Sequence, residues 1–133
     1  MIKIWTNGCF DILHRGHIEL FKYAKSLGDY LVVGVDSDEK IRKTKGNDRP
    51  INILEDRIEL LKSIKYINDV WDFNSRSELE VLIKHYQPDI MVIGSDWKGG
   101  DVVGKEYTNE LKFFDRIGDY SSTINIHYLN KNN

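Results

Sequence analysis

Thr6-Asn7-Gly8-Cys9-Phe10-Asp11-Ile12-Leu13-His14-Arg15-Gly16-His17 stands between an apolar run, Ile2-Lys3-Ile4-Trp5, and an amphipathic run that opens at Ile18. A strand hands over to a helix here, and two histidines sit at the joint. Such a joint points backbone N–H groups and the positive end of a helix dipole at one spot, which suits an anion and phosphate above all. Gly16 lacks a Cβ, so a phosphate can approach the backbone between the imidazoles, and Gly8 permits the unusual φ that a sharp turn after a strand can need. His14 and His17 lie three apart across the helix start, so both rings can donate to oxygens that gain charge during phosphoryl transfer.

Two other readings of the joint stay open. Cys9, Asp11, His14 and His17 are metal-ligand types, although the cysteine stands alone and no second Cys/His cluster follows. Alternatively, the histidines are ordinary polar residues of a loop and helix start, with Phe10, Ile12 and Leu13 packing a core.

Outward from the joint, strand and helix patterns alternate. Ile2–Thr6 reads as a strand, His17–Leu27 as a helix with Ile18, Leu20, Phe21 and Ala24 on one side, and Tyr30–Val35 as a strand buried on both faces. Gly28 reads as a helix stop. A short helix from Ser37 fades into a basic, turn-rich segment, which makes Lys43–Asn52 the expected mobile loop. Leu54–Ile64 reads as a helix that buries Ile58, Leu60, Leu61 and Ile64. Asp69–Phe73 then reads as a strand, Glu78–His85 as a helix, and Ile90–Ile93 and Leu111–Phe114 as strands. The alternation predicts an α/β fold, a Rossmann-like doubly wound parallel sheet, with ligands beyond the carboxyl ends of the strands. Three polar segments follow strand ends there: Thr6–His17, Gly94–Gly104 and Asp115–Thr123.

Composition fits one small domain. The 133 residues carry 19 Lys plus Arg against 21 Asp plus Glu, and the net charge of -2 gives no general reason to expect nucleic acid or a membrane surface as partner. The single cysteine excludes an intrachain disulfide, no run reaches the length of a membrane span, and the chain opens on a strand-like run, so a cytoplasmic location is expected. Residues 1–129 are expected to form the domain, with Asn130–Asn133 a polar tail.

His14-Arg15-Gly16-His17 resembles the His-x-Gly-His signature of the cytidylyltransferase-like nucleotidyltransferases. The resemblance continues through Gly28–Val35, Lys45–Asn52, Glu55-Asp56-Arg57 and Gly94-Ser95-Asp96-Trp97-Lys98, in order along nearly the whole chain. It implies an enzyme that binds a nucleoside triphosphate with Mg²⁺, while the phosphate of a second substrate attacks the α-phosphorus and expels pyrophosphate without a covalent enzyme intermediate. It implies that His14, His17, Lys45 and Arg57 carry catalysis. Nucleotide binding falls to Thr6, Asn7, Gly8, Phe10, Asp11, Gly16, Asp96, Arg116, Ser121, Ser122 and Thr123, with Asp11 near the metal and loop. Lys43, Arg49 and Trp97 are the acceptor-binding candidates, and no metal-ligand set within the protein is implied. Relatives often form homodimers, for which Tyr66, Trp71 and Phe73 are interface candidates. Ser122 replaces the usual Thr of the family's Ser-Thr-Thr segment, and the expected C-terminal helix is shortened or irregular at Ile124–Leu129.

The acceptor is harder to read. Lys45–Asn52 and the spacing from Asp96 to Gly104 resemble adenylyltransferases that join ATP to a heptose 1-phosphate. Gly94–Trp97 and Arg116 resemble cytidylyltransferases that join CTP to glycerol 3-phosphate. The adenylyltransferase reading leads, and a nucleotide-binding module without turnover is the alternative of another class.

Overall fold

Tyr30-Leu31-Val32-Val33-Gly34-Val35 has no polar face, and a strand of this kind lies at home only where both sides of a sheet are covered. It forms most of β2 (Tyr30–Asp36) in a computed structural model that describes residues 1–95 and 99–115. The other strands are β1 (Lys3–Gly8), β3 (Asp69–Phe73), β4 (Ile90–Gly94) and β5 (Glu110–Phe114). The helices are α1 (Arg15–Ser26), α2 (Asp38–Lys45), α3 (Leu54–Lys62) and α4 (Arg76–Tyr86), and a 3₁₀ turn covers Lys105–Tyr107. The strands form one five-stranded sheet in the order β3-β2-β1-β4-β5, with every pairing parallel.

Alternate side chains feed two cores. Ile4, Leu31, Val33, Val35, Val70 and Val92 face Phe21 and Ala24 of α1 and Leu61 of α3. Trp5, Val32, Phe73 and Met91 face Leu79, Ile83 and Tyr86 of α4. Helices therefore cover both faces, and the doubly wound expectation holds. Beyond β3 the chain crosses back to set β4 beside β1, so the connections from β1 and β4 leave on opposite faces. Those two strands pair only at Ile4 with Ile90 and Trp5 with Met91, and part well before their ends at Gly8 and Gly94. The parting is the crevice in which sheets of this kind hold ligands.

Several expectations need correction. β1 runs on to Gly8, because Asn7 and Gly8 stay extended beside Gly34 and Val35. α1 starts at Arg15, with His14 as its N-cap. α1 does stop before Gly28, at Ser26 with Leu27 as its C-cap, and the glycine also serves close packing, since a Cβ there would lie 2.8 Å from Ile2. α2 extends through Lys45, and the segment behind it is pinned, as described below, so Lys43–Asn52 is not a free loop. Leu60 is 48% exposed although read as buried, while Phe73 is buried in the second core and has no surface to offer an interface. Asp96, Trp97, Lys98, Arg116, Ser121, Ser122, Thr123, the stretch Ile124–Leu129 and the tail lie outside the described residues. Among the described residues, no helix is long and apolar enough to cross a membrane.

Candidate active site

His14 and His17 hold each other. His14 caps α1 by accepting the Gly16 N–H on Nδ1 at 3.0 Å, and the His14 N–H donates to Nδ1 of His17 at 3.3 Å. The rings stack with centroids 3.9 Å apart and planes 22° from parallel. Each Nδ1 is thus an acceptor, and a neutral imidazole in that state carries its proton on Nε2. Burial, with His14 beside it, lowers the His17 pKa from 6.5 to about 4, so at neutral pH this ring is an uncharged N–H donor. The pair sits at the positive end of α1 and past the carboxyl end of β1, and Gly16 takes its place as the second helical residue.

The loop between strand and helix turns at Phe10, not at Gly8. Phe10 has φ 48, and its ring is buried against His17 and Phe21. Gly8 is small because the Phe10 ring lies over it: a Cβ would stand 3.1 Å from Cζ. Thr6 is buried inside β1 beside Val33, so its hydroxyl does not open onto the site, while exposed Asn7 accepts the Trp5 indole N–H on its Oδ1.

Asp11 differs most from expectation. Its carboxylate is 1% exposed and enclosed by donors of its own chain: Arg49 Nε at 3.1 Å and the N–H groups of Ile51 and Asn52, each at 2.9 Å. Asn52 also donates its side-chain amide to the Asp11 carbonyl. This carboxylate straps segment 49–52 to the loop between β1 and α1 and has no side left for a metal. Arg49, expected on the acceptor, is 8% exposed and committed to Asp11, with Nη2 buried and without a hydrogen-bond partner.

Arg57 was expected to carry catalysis, and it is only 1% exposed. It donates to the carbonyls of Asn52 (2.9 Å), Cys9 (2.8 Å) and Asp36 (2.8 Å) and to the Asp38 carboxylate (2.7 Å). One side chain thus ties the strap, the loop between β1 and α1, the end of β2 and the start of α2, so in this geometry Arg57 holds the surrounding segments in place. Sequence reasoning missed Asp36, Asp38 and Asn52 as its partners. The available signal was an arginine near the start of α3, where a cation opposes the helix dipole and needs another reason to be there.

Of the lysines, Lys45 approaches the loop, where it acts on the Cys9 thiol together with Asp36. Lys43 lies on the exposed face of α2, paired with Glu39 at 3.2 Å. Cys9 donates to Asp36 at 3.3 Å, and with Asp11 enclosed by Arg49, the four ligand types of the loop do not converge on a metal. Among the described residues no group of three or more such side chains does so.

A parallel sheet in this strand order, with a helix N-terminus and paired N–H donors at its switch point, defines an α/β domain built to hold a nucleotide's phosphates. The chain belongs to the cytidylyltransferase-like family of nucleotidyltransferases, whose profile matches residues 5–127. It is 45% identical over 123 residues to the bifunctional protein HldE of Campylobacter fetus and 44% identical over 123 residues to that of Sulfurimonas denitrificans, covering 92% of this chain and 26% of each relative. The chain thus spans about a quarter of the length of these curated relatives. Among solved structures it is similar to the lipopolysaccharide core biosynthesis protein of Thermoplasma volcanium, with TM-score 0.69 and 30% identity over 91% of this chain and 99% of that one. It shares its fold with Thermotoga maritima TmcAL bound with alpha-thio ATP, at TM-score 0.70 and 12% identity over 99% of this chain and 50% of that one.

Proposed function

We propose that the chain transfers the adenylyl group of ATP to the phosphate of a sugar 1-phosphate, a heptose 1-phosphate being the acceptor, and releases pyrophosphate. The observation that carries this reading is the histidine pair, whose Nδ1 atoms are both engaged as acceptors at the start of α1 so that Nε2 carries the proton. An acceptor phosphate oxygen attacks the α-phosphorus in line. As its bond forms, the bond to the α–β bridging oxygen breaks, and that electron pair leaves on pyrophosphate. Negative charge grows on oxygens beside the pair, where two N–H donors and the α1 dipole stabilise it without reorganising. His17, uncharged at pH 7, donates without giving its proton away. Lys45 adds a point charge at the loop's edge. Mg²⁺ bound with ATP would supply neutralisation of triphosphate charge. His14, His17 and Lys45 touch the reacting phosphates in this reading, whereas Arg57, Asp11 and Arg49 hold the loops that shape the site.

The HldE relatives and the lipopolysaccharide core biosynthesis protein support a sugar phosphate as acceptor. The reading places the reaction in the cytoplasm. Half-buried Trp71 and Tyr66 are the surface candidates for a homodimer, which light scattering measures directly. The activity is tested by pyrophosphate release with Mg²⁺, pairing ATP and CTP with heptose 1-phosphate and glycerol 3-phosphate. Release with ATP and the heptose alone is expected. Release with CTP and glycerol 3-phosphate alone would replace this acceptor and base, and binding without release in any pairing would leave a non-catalytic module.

A further inference from the structure

Four rings run in file from the core to the site. Phe21 of α1, fully buried, meets Phe10 at 5.2 Å and 61°; Phe10 meets His17 edge-on at 5.4 Å and 83°; His17 stacks on His14 at 3.9 Å. Phe10 holds its place through an unusual backbone, φ 48, in the left-handed region that a bulky aromatic rarely adopts. Among the described residues the other non-glycine with positive φ is Gln87, which caps the end of α4, where that conformation is routine. The Phe10 ring also claims the space above position 8, which only a glycine leaves clear. A ring needed merely to fill the core could do so from an ordinary backbone, and strain of this kind persists where the surroundings over-determine it. What this strain secures is an aromatic edge set against one imidazole of the pair.

We propose that Phe10 is a positioning residue for the reaction: its ring fixes the plane of His17 and, through the stack, the direction in which both imidazoles present Nε2–H to the departing oxygens. The inference rests on the nucleotidyl-transfer reading above. An edge-on aromatic contact has a preferred geometry, which a flexible aliphatic side chain does not impose. The ring also keeps water from His17, in line with the lowered pKa of that residue; the titratable group that acts on His17 is His14, on the same helix start, and Phe10 brings no charge.

The test compares Phe10→Leu with Phe21→Leu, since Phe21 packs on Phe10 from the core side of the file of rings. Turnover is measured as kcat and KM for the nucleotide, and the His17 ring is titrated by NMR in the free protein. Phe10→Leu is expected to lower kcat about tenfold to a hundredfold with KM changed less than about threefold, as a misdirected catalytic group does. Its His17 midpoint is expected to rise from about 4 towards 6.5. Phe21→Leu is expected to lose thermal stability with kcat within about twofold of wild type, as a core change remote from the chemistry does. Should Phe10→Leu not fold, Gly8→Ala displaces the same ring by a few tenths of an ångström and is expected to lower kcat and raise the midpoint in the same sense. A folded Phe10→Leu with wild-type kcat and an unmoved midpoint overturns the proposal, as does a kcat loss that Phe21→Leu shares. Silence of the wild type with every nucleotide and acceptor would sink the nucleotidyl-transfer reading instead, while the titration still decides whether Phe10 sets His17.

Discussion

His17 titrates near 4 in the native protein and near 6.5 when exposed, so the unfolded chain takes up a proton that the native site refuses. Stability therefore falls as the pH drops from about 6.5 to about 4, by on the order of 2–3 kcal/mol for this group. His17→Asn removes that contribution: between pH 7 and pH 4.5 its denaturant midpoint should fall less than that of wild type, and equal falls would show that His17 is not held uncharged. Burial and the neighbouring Asp36 push the Cys9 thiol up to about 11. Iodoacetamide at pH 8 should accordingly alkylate native Cys9 about a hundredfold more slowly than the urea-unfolded chain, because the thiolate is the reacting form. The histidines were legible because their relation is local: a spacing of three at a helix start brings the two together whatever the rest of the fold does. The loop's left-handed residue was not, since its φ comes from the packing of the Phe10 ring, and the glycine two positions earlier drew the turn to itself.

Among the elements, the ties converging on α3 and on the strap behind α2 set the site's shape. Arg57→Ala leaves the Cys9, Asp36 and Asn52 carbonyls and the Asp38 carboxylate without their shared donor. A loss of about 3 kcal/mol or more is expected by chemical denaturation. Arg57→Lys, which keeps the charge and loses the planar fork, should recover only part of it. Asp11→Asn leaves the Arg49 guanidinium buried beside a neutral group and is expected to cost about 3–5 kcal/mol, with a raised KM for the acceptor as the strap loosens. A folded Asp11→Asn of unchanged stability would contradict the strap. None of these ties could be read from spacing. Arg57 meets Cys9 across 48 positions and Asp36 across 21, and Arg49 meets Asp11 across 38, so the partners become neighbours only once the sheet has formed. A charged loop without local pattern then reads as solvated, and the helix that continues to Lys45 and the pinned segment behind it both escape notice. The helices and strands themselves were legible to within a few residues, because their apolar periods are properties of each segment alone.

Over the whole molecule, the decisive fact is the reversal that sets β4 beside β1. It opens a crevice above Gly8 and delivers the start of α1 to it, and the strand alternation in the sequence already implied such a sheet. The family match, over residues 5–127, agrees with that architecture. Nucleotidyl transfer in such a crevice needs two polyanions held together and donors aimed at the oxygens that gain charge. The choice of base and acceptor is a property of side chains gathered around the crevice from separate segments, and no single stretch of sequence expresses it. The most direct measurement is pyrophosphate release from ATP and heptose 1-phosphate by wild type and by His17→Ala, with ATP affinity determined on the same preparations. Loss of one preorganised donor predicts a kcat about a hundredfold to a thousandfold lower, with ATP affinity changed by no more than a few-fold. Equal turnover by the two proteins would contradict a histidine pair that acts on the departing pyrophosphate.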